Sequence, residues 1–232
     1  MNYLATILVV VIVIILYYFY YFITNNELTS GLQELTKVIS IPYNKLKNPN
    51  SYTYSYQCWF YIDKNTAPDT EQRIFYRSVN TQGVNPEFEV VLKGQELILK
   101  AGNGGKNPAI RIMTITSEFP IQKWTHLVIN VSNLKTFEAY INGKLAKTVV
   151  IPDSTAIIPN SKTSSLTIGN GIFTNSYVTK FVRLEKNLDA KTVWENYLSG
   201  NGLSNLFNTL IPYGLNMSIT KGEEIQRVIN VI

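Results

Sequence analysis

The stretch that decides the fold runs from Trp124 to Ile151 and reads WTHLVINVSNLKTFEAYINGKLAKTVVI. Its first part is an apolar run of the kind that forms a buried strand. Asn142-Gly143 then separates two further strand-like runs. A two-residue type I′ turn needs positive φ at both central positions, and Asn-Gly tolerates that conformation best. The stretch therefore predicts a strand followed by a tight β-hairpin, in the middle of a sheet.

Further short strands are predicted on both sides of this hairpin. In Ser51–Ile62, residues of even number and residues of odd number fall on opposite faces of a strand. One face carries Tyr52, Tyr54, Tyr56 and Cys58, and the other carries Trp59 and Tyr61. Strand signals recur at intervals of about 8 to 12 residues without a long helix between them, which predicts an all-β antiparallel sandwich. The other predicted strands are Arg73–Val79, Phe88–Leu92, Leu97–Ala101, Ile110–Ile115, Ser165–Gly169 and Tyr177–Leu184.

One short helix is predicted inside the sandwich domain, between residues 187 and 200. Asp189 suits its N-cap, Val193 and Trp194 begin an apolar face, and Gly200 suits the position after the last turn. Beyond it, two alternating runs around Lys221-Gly222 predict a closing hairpin. We assign residues 51–232 to the sandwich with this C-terminal hairpin.

The N-terminal segment Tyr3–Ile23 contains no charged residue and no proline. A run of about 20 apolar residues is long enough for a helix to cross a bilayer, so residues 1–24 are predicted to be a single transmembrane anchor. A cleaved signal peptide would have a shorter apolar region, a basic flank and a small-residue cleavage site. Tyrosines at one end match the aromatic belt of a membrane interface: Tyr17, Tyr18, Tyr20 and Tyr21.

Residues 25–50 are predicted to form a juxtamembrane helix and a linker. Apolar residues recur at helical spacing from Leu28 to Ile39, and Pro42 would stop the helix. Lys37, Lys45 and Lys47 lie on this side of the anchor, and the positive-inside rule then favours the cytosolic side for the domain.

The charged residues do not indicate a nucleic-acid partner. The formal net charge is +5, but the lysines and arginines are scattered singly along the chain. Cys58 is the only cysteine and is predicted to be a buried, inert thiol. His126 is the only histidine, which excludes histidine clusters and favours a packing role. The glycine-rich segment 102–105 precedes a strand, not a helix, so we interpret it as a hairpin turn and not a phosphate site.

No catalytic, cofactor-binding or metal-binding residue is predicted, and we expect a protein that is not an enzyme. Glycoside hydrolysis needs two carboxylates held about 5 to 10 Å apart. The nearest arrangement is Glu87-Phe88-Glu89, which we interpret as exposed carboxylates on an edge strand.

The order of these motifs resembles the laminin-G-like and pentraxin-like members of the concanavalin A-like lectin/glucanase superfamily. The resemblance rests on the first strand ending in Trp59, on Trp124-Thr-His126, on the Tyr-Ile-Asn-Gly hairpin and on Leu166-Thr-Ile-Gly169. It implies a jelly-roll sandwich. Relatives bind calcium through clustered acidic residues, and no such cluster can be matched here. Relatives also stack sugars on exposed aromatic rings, a role open to Tyr54, Trp59 and Tyr61, although these rings could equally fill the core.

These features give two hypotheses for the function. The first is a non-enzymatic, single-pass membrane protein whose lectin-like domain holds other protein subunits near a lipid bilayer. Such proteins resemble minor structural proteins of large DNA viruses, which link a virion membrane to a capsid. The alternative is a surface adhesin that binds glycans.

Overall fold

The computed structural model describes most of the chain: residues 3–24, 27–29, 31–65, 67–78, 84–102, 109–152, 163–169, 171–202, 215–221 and 224–231. Its helices and strands are, in chain order, α1 (Tyr3–Thr24), β1 (Gln33–Glu34), β2 (Ile39–Ile41), β3 (Tyr54–Tyr61), β4 (Gln72–Ser78), β5 (Phe88–Lys93), β6 (Glu96–Ala101), β7 (Ile110–Thr116), β8 (Thr125–Ser132), β9 (Thr136–Ile141), β10 (Lys144–Val150), β11 (Ser165–Ile168), β12 (Tyr177–Leu184), α2 (Ala190–Leu198), β13 (Leu215–Lys221) and β14 (Glu224–Val231). A short 3₁₀ turn lies at Tyr43–Lys45.

Two six-stranded antiparallel sheets form the sandwich predicted from the sequence. Sheet A has the order β1-β12-β3-β8-β9-β10, and sheet B has the order β2-β11-β4-β5-β6-β7. The strand β8 lies in the middle of sheet A, and Asn142 and Gly143 both have positive φ in the turn between β9 and β10, as the sequence predicts. The hairpin is therefore a central element of the fold.

The core lies between the inner faces of the two sheets and is rich in aromatic rings. Tyr56 of sheet A contacts Phe75 and Phe88 of sheet B, with ring centroids 5.5 and 5.0 Å apart. All three side chains are almost fully buried. Removing one such ring from water stabilises the fold by roughly 1.5 to 3 kcal/mol. The period-two pattern of β3 thus places Tyr54, Tyr56 and Cys58 in the core.

The juxtamembrane helix predicted between Leu28 and Ile39 is wrong. This segment runs along the edge of the sandwich, and its backbone bonds to β12: the Leu28 amide donates to the Phe181 carbonyl (2.7 Å) and the Leu35 amide to the Ser176 carbonyl (2.8 Å). Leu35 is fully buried. The segment covers the open edge of β12, and pairing with that edge outweighs the helical spacing of its leucines.

The apolar N-terminal segment forms the helix α1, which covers 22 residues. Its side chains are described for residues 7–18 and 20, and all of these are exposed. Judged on the described residues alone, no helix of the structure is both long and apolar enough to cross a membrane.

The predicted short helix and closing hairpin are both present. Asp189 caps α2 by accepting a hydrogen bond from the Thr192 amide (2.9 Å), and Gly200 follows with φ of 70°. The helix lies on the outer face of sheet A, where Val193 packs with Val128 and Tyr140. The strands β13 and β14 pair with each other as a separate two-stranded sheet.

Gly169 marks a close approach between the sandwich and the N-terminal segment. Its φ is +77°, and a Cβ atom there would lie 2.6 Å from the Leu35 carbonyl oxygen and 2.7 Å from that of Lys37. Nearby Gly171 has a similar φ of +80°, but its nearest neighbour would be the Thr36 carbonyl oxygen at 3.7 Å. Of these two glycines, only Gly169 therefore faces a steric conflict as well as backbone strain.

We expect Gly169→Ala to lower the free energy of unfolding clearly more than Gly171→Ala. The control should lose about 1 to 2 kcal/mol from the left-handed backbone alone, whereas Gly169→Ala adds a backbone clash and should lose roughly 3 kcal/mol or more. Urea unfolding of the full chain in neutral detergent, followed by tryptophan fluorescence, measures both. Equal losses would contradict the close approach.

Candidate functional site

The outer face of sheet A carries an aromatic stack beneath α2. Trp59 of β3 contacts both His126 of β8 and Tyr197 of α2, with ring centroids 5.0 and 5.6 Å away, and the His126 and Tyr197 centroids are 6.1 Å apart. Trp59 is 6% exposed and His126 is 0% exposed. Among the described residues, neither nitrogen of His126 nor the indole nitrogen of Trp59 has a hydrogen-bond partner. The stack therefore holds α2 on the sheet by packing.

Burial determines the protonation of the two candidate reactive groups in β3 and β8. Burial, followed by the nearby charge of Lys180, lowers the pKa of His126 to about 4. Burial raises the pKa of the Cys58 thiol far above its usual range. At neutral pH, His126 is thus an uncharged packing residue, and Cys58 is a protonated thiol in the core, as the sequence predicts.

A second aromatic group lies on the same face, at one end of the sheet, and remains partly exposed. We call it the aromatic patch: Tyr61, Trp124 and Tyr177. The Tyr61 ring lies 5.8 Å from that of Trp124 and 6.3 Å from that of Tyr177. The three residues come from the adjacent ends of β3, β8 and β12, so the sheet itself brings the rings together.

A polar cleft of about 200 Å³ borders the aromatic patch at the sheet edge. We call it the edge cleft, and its lining residues are Glu34, Thr36, Thr174, Asn175 and Tyr177. The Glu34 carboxylate accepts from the Thr36 hydroxyl (3.5 Å) and pairs with Lys37 (3.1 Å). Just past the end of β3, the Gln122 side-chain amide donates to the Asp63 carboxylate (3.3 Å), and the Asp63 backbone amide donates to the hydroxyl of Ser176, next to Tyr177 (3.2 Å). Donors and acceptors thus lie beside the rings, an arrangement suited to a ligand with an apolar face and several hydroxyl groups.

The three residues predicted to stack on a ligand have different environments. Tyr54 points into the core and is 6% exposed, and Trp59 is covered by α2. Their burial leaves no ring face for a ligand. Tyr61 alone among the three is half-exposed, and it belongs to the aromatic patch.

Sequence reasoning missed the two other rings of the patch, Trp124 and Tyr177. The alternation of β3 indicates that Tyr61 faces outward, and Trp124 stands at the start of a recognisable strand. Nothing in the local sequence shows that β12 lies beside β3, because these strands are more than 100 residues apart, as the pairing of Tyr61 with Tyr177 shows.

The prediction that Glu87 and Glu89 are exposed on an edge strand is wrong. Strand β5 lies between β4 and β6, and the two residues are 4% and 5% exposed. Glu87 pairs with Arg77 (3.3 Å) and accepts from the Ser164 hydroxyl (2.7 Å). Glu89 pairs with Arg73 (2.6 Å). Carboxylates are tolerated in these positions because cations neutralise them.

Two other sequence interpretations concern possible ligand sites. Most of the glycine-rich segment 102–105 lies outside the described residues. Within the part of the chain that the structure describes, no three histidine, cysteine or acidic side chains lie close enough together to hold a metal ion.

The fold and the partly exposed patch define a lectin-like β-sandwich, and comparison with known families agrees. The family model Laminin_G_3, of the concanavalin A-like lectin/glucanases superfamily, matches residues 34–199. The chain therefore belongs to the concanavalin A-like lectin/glucanases superfamily. No curated protein sequence matches the chain.

Solved structures with the same fold include binding domains of botulinum neurotoxins. The serotype D ligand binding domain in complex with N-acetylneuraminic acid has a TM-score of 0.56 at 15% identity over 73% of this chain and 42% of that one. The DC binding domain in complex with rat synaptotagmin II has a TM-score of 0.53 at 19% identity over 70% and 39%. A structure of botulinum neurotoxin type C, whose cell entry depends on two ganglioside molecules, has a TM-score of 0.51 at 19% identity over 70% of this chain and 39% of that one. At this identity the likeness establishes the fold, over about two fifths of each toxin domain.

We expect acid to weaken the docking of α2 through His126. Because its pKa is lowered in the folded protein, the unfolded chain binds a proton first as pH falls below 6.5. Stability is therefore intact above pH 6.5 and falls as pH drops towards 4, by about 3 kcal/mol from this group. Urea unfolding at several pH values measures the loss.

The matched control is His126→Phe, which keeps a buried ring beside Trp59 but cannot titrate. Its free energy of unfolding should fall less between pH 6.5 and 4 than that of the native chain, since only the carboxylates then respond. Identical pH profiles for the two proteins would show that protonation of His126 does not lower the free energy of unfolding.

Proposed function

We propose that this protein is a membrane-tethered, non-catalytic lectin-like module that binds glycans at the aromatic patch. The observation that carries the proposal is the cluster of three partly exposed rings, Tyr61, Trp124 and Tyr177, beside the polar edge cleft. A pyranose ring presents C–H groups on one face and hydroxyl groups around its rim. The aromatic rings can stack on the C–H face, and Glu34, Asn175 and their neighbours can form hydrogen bonds with the hydroxyl groups.

The solved structures of the same fold support a glycan as the ligand class. One is a complex with N-acetylneuraminic acid, and another concerns interaction with gangliosides. A third holds a protein receptor, rat synaptotagmin II. We extend the glycan chemistry to this chain because its own exposed rings offer a matching surface.

The environment of the carboxylates supports a binding role over catalysis. A glycosidase needs one carboxylic acid that donates a proton and one carboxylate that faces the sugar. Glu87 and Glu89 are buried and held in ion pairs with arginines, so neither faces an open cleft.

The helix α1 supports the membrane tether. Twelve successive side chains, from Ile7 to Tyr18, are exposed although nearly all are large and apolar. Water is an unfavourable environment for such a surface, and a lipid bilayer is a favourable one. The bridge between Glu27 and Val182 then joins the chain to the sandwich only three residues after α1 ends at Thr24.

A second candidate function, docking of other protein subunits, is favoured by exposed apolar side chains around α2. Trp194 is 40% exposed, Leu198 is 64% exposed, and Leu145 of β10 is 54% exposed. A virion membrane or capsid is one setting in which an anchored domain holds such subunits. The side of the membrane that the domain occupies stays a prediction, with the cytosolic side favoured by the flanking lysines.

A glycan array probed with the full chain in neutral detergent, with and without calcium, tests the leading proposal. We expect binding to one sugar class, and Trp124→Ala and Tyr177→Ala should each weaken it roughly tenfold, as expected when a stacked ring worth about 1.4 kcal/mol is lost. The matched control is Tyr52→Ala, since Tyr52 is exposed at the opposite end of β3. A folded protein that binds no glycan would favour subunit docking instead.

Membrane extraction tests the tether separately. We expect the full chain to stay with membranes in alkaline carbonate and to be released only by detergent, because burial of the apolar side chains of α1 in the hydrocarbon does not depend on ionic contacts. Release by carbonate alone would remove the membrane from the proposal. Deleting residues 1–24 should convert the chain to a form that needs no detergent.

A further inference from the structure

A second polar pocket lies at the end of the sandwich where the chain enters from α1, away from the aromatic patch. Glu27 bridges to Val182, and the chain then runs along β12 in the opposite direction until Glu34 lies beside Tyr177. Val182 lies five steps along the strand from Tyr177, which is about 16 Å. Thr24, the last residue of α1, can be at most about 10 Å of extended chain from Glu27.

This pocket, which we call the entry pocket, is basic. Its volume is about 230 Å³, and it is lined by Lys47, Arg183, Leu184, Glu185 and Lys186. Three cationic side chains and one carboxylate give a formal charge of 3 − 1 = +2. Lys47, Glu185 and Lys186 are exposed, so the lysine ammonium groups can move to meet a ligand. The space is several times the roughly 30 Å³ that one water occupies in the liquid.

Arg183 makes the pocket more than a surface group of lysines. It is only 5% exposed, its Nη1 donates to the Lys47 carbonyl (2.6 Å), and its Nη2 donates to the Pro49 carbonyl (3.4 Å). The guanidinium lies over the Tyr54 ring, 5.0 Å from its centroid. Its buried Nε has no hydrogen-bond partner among the described residues. The guanidinium is therefore held in place as part of the pocket wall.

We propose that the entry pocket binds a phosphate group, supplied by the anionic phospholipid headgroups of the bilayer that holds α1. This inference rests on the proposed membrane tether. Headgroups form a layer about 5 to 7 Å thick on each side of the hydrocarbon, and the short connection from Thr24 to Glu27 keeps this end of the sandwich close to that layer. Anionic lipids attract lysines and arginines placed next to a membrane-spanning helix.

The residues fit distinct roles in holding phosphate. Arg183 is fixed by its two carbonyl partners and supplies a rigid positive charge, whereas Lys47 and Lys186 close on the phosphate oxygens from the rim. Glu185 is also at the rim and repels a second negative charge. The pocket should therefore favour a singly charged phosphodiester, as in a lipid, over a more highly charged group.

The test uses the double variant Lys47→Gln with Lys186→Gln. Arg183 is left unchanged because its bonds hold the 47–49 backbone, and its loss could unfold the domain. The matched control is Lys144→Gln with Lys147→Gln, which removes the same charge from exposed positions on β10. All proteins are the full chain, in about 0.15 M salt, where charges more than about 8 Å apart are largely screened.

In the first arm, the proteins in neutral detergent are titrated by calorimetry with dimethyl phosphate, a singly charged phosphodiester. We expect the native chain and the Lys144/Lys147 control to bind alike, and the Lys47/Lys186 variant to bind roughly 30-fold more weakly. Equal weakening in both variants, or no binding by the native chain, would overturn the site. This arm does not need α1 to cross a bilayer, so its failure is distinct from failure of the tether or of glycan binding.

In the second arm, the native chain in nanodiscs is acetylated on lysine and analysed by mass spectrometry. We expect phosphatidylserine mixed into phosphatidylcholine to slow acetylation of Lys47 and Lys186 severalfold, relative to Lys144 and Lys147 in the same molecules. Phosphate binding in detergent without this protection would overturn the lipid as the source. Equal protection of all four lysines would show only diffuse attraction to the membrane, which also overturns the proposal.

Discussion

Two buried guanidinium groups from opposite sheets donate to one carbonyl oxygen, that of Pro49. Arg77 reaches it from β4 of sheet B, and Arg183 reaches it from β12 of sheet A. Burying a cation is costly unless hydrogen bonds and an opposite charge compensate it. Glu87 balances the charge of Arg77, and the Ser164 hydroxyl donates to the same carboxylate. The segment before β3 is thereby fixed to both sheets, and this end of the sandwich is closed by polar contacts.

At the other end of sheet A, the position of α2 determines which aromatic rings are covered and which stay partly exposed. The helix covers the middle of the outer face, where Asn130 donates to the Leu188 carbonyl (2.8 Å) and accepts from the Leu188 amide (3.1 Å). The helix ends over Trp59, which its Tyr197 ring covers. Tyr61, the next outward-facing residue of β3, lies beyond the helix and stays partly exposed. The length of α2 therefore sets the boundary between packed rings and rings available to a ligand.

Local sequence patterns predicted the sandwich well because each depends on neighbouring residues. The Asn142-Gly143 turn, the alternation in β3 and the Asp189 cap all act over a few residues, and the structure contains all three. The family resemblance is likewise confirmed over residues 34–199. The order of strands within each sheet is set by long-range pairing, which local patterns do not encode.

The failed predictions share that cause. The leucine spacing after Leu28 is helical, but the free edge of β12 offers backbone partners that no local pattern reveals. Glu87 and Glu89 are charged residues of the kind expected on an exposed strand. They are buried at a central strand instead, because arginines from β4 neutralise both carboxylates. The candidate site was only partly predictable, since Tyr61 could be assigned to the outer face while its neighbour Tyr177 could not.

The antiparallel course of residues 27 to 34 along β12 also has a mechanical consequence. In the proposed membrane-tethered module, pulling a ligand on the aromatic patch away from the bilayer would apply force near Tyr177 and at Glu27, which lie at opposite ends of the same edge. The contacts between these two segments are then loaded in shear, along the strands, and share the force instead of opening one at a time. This geometry suits a domain that must hold its ligand against tension between two surfaces.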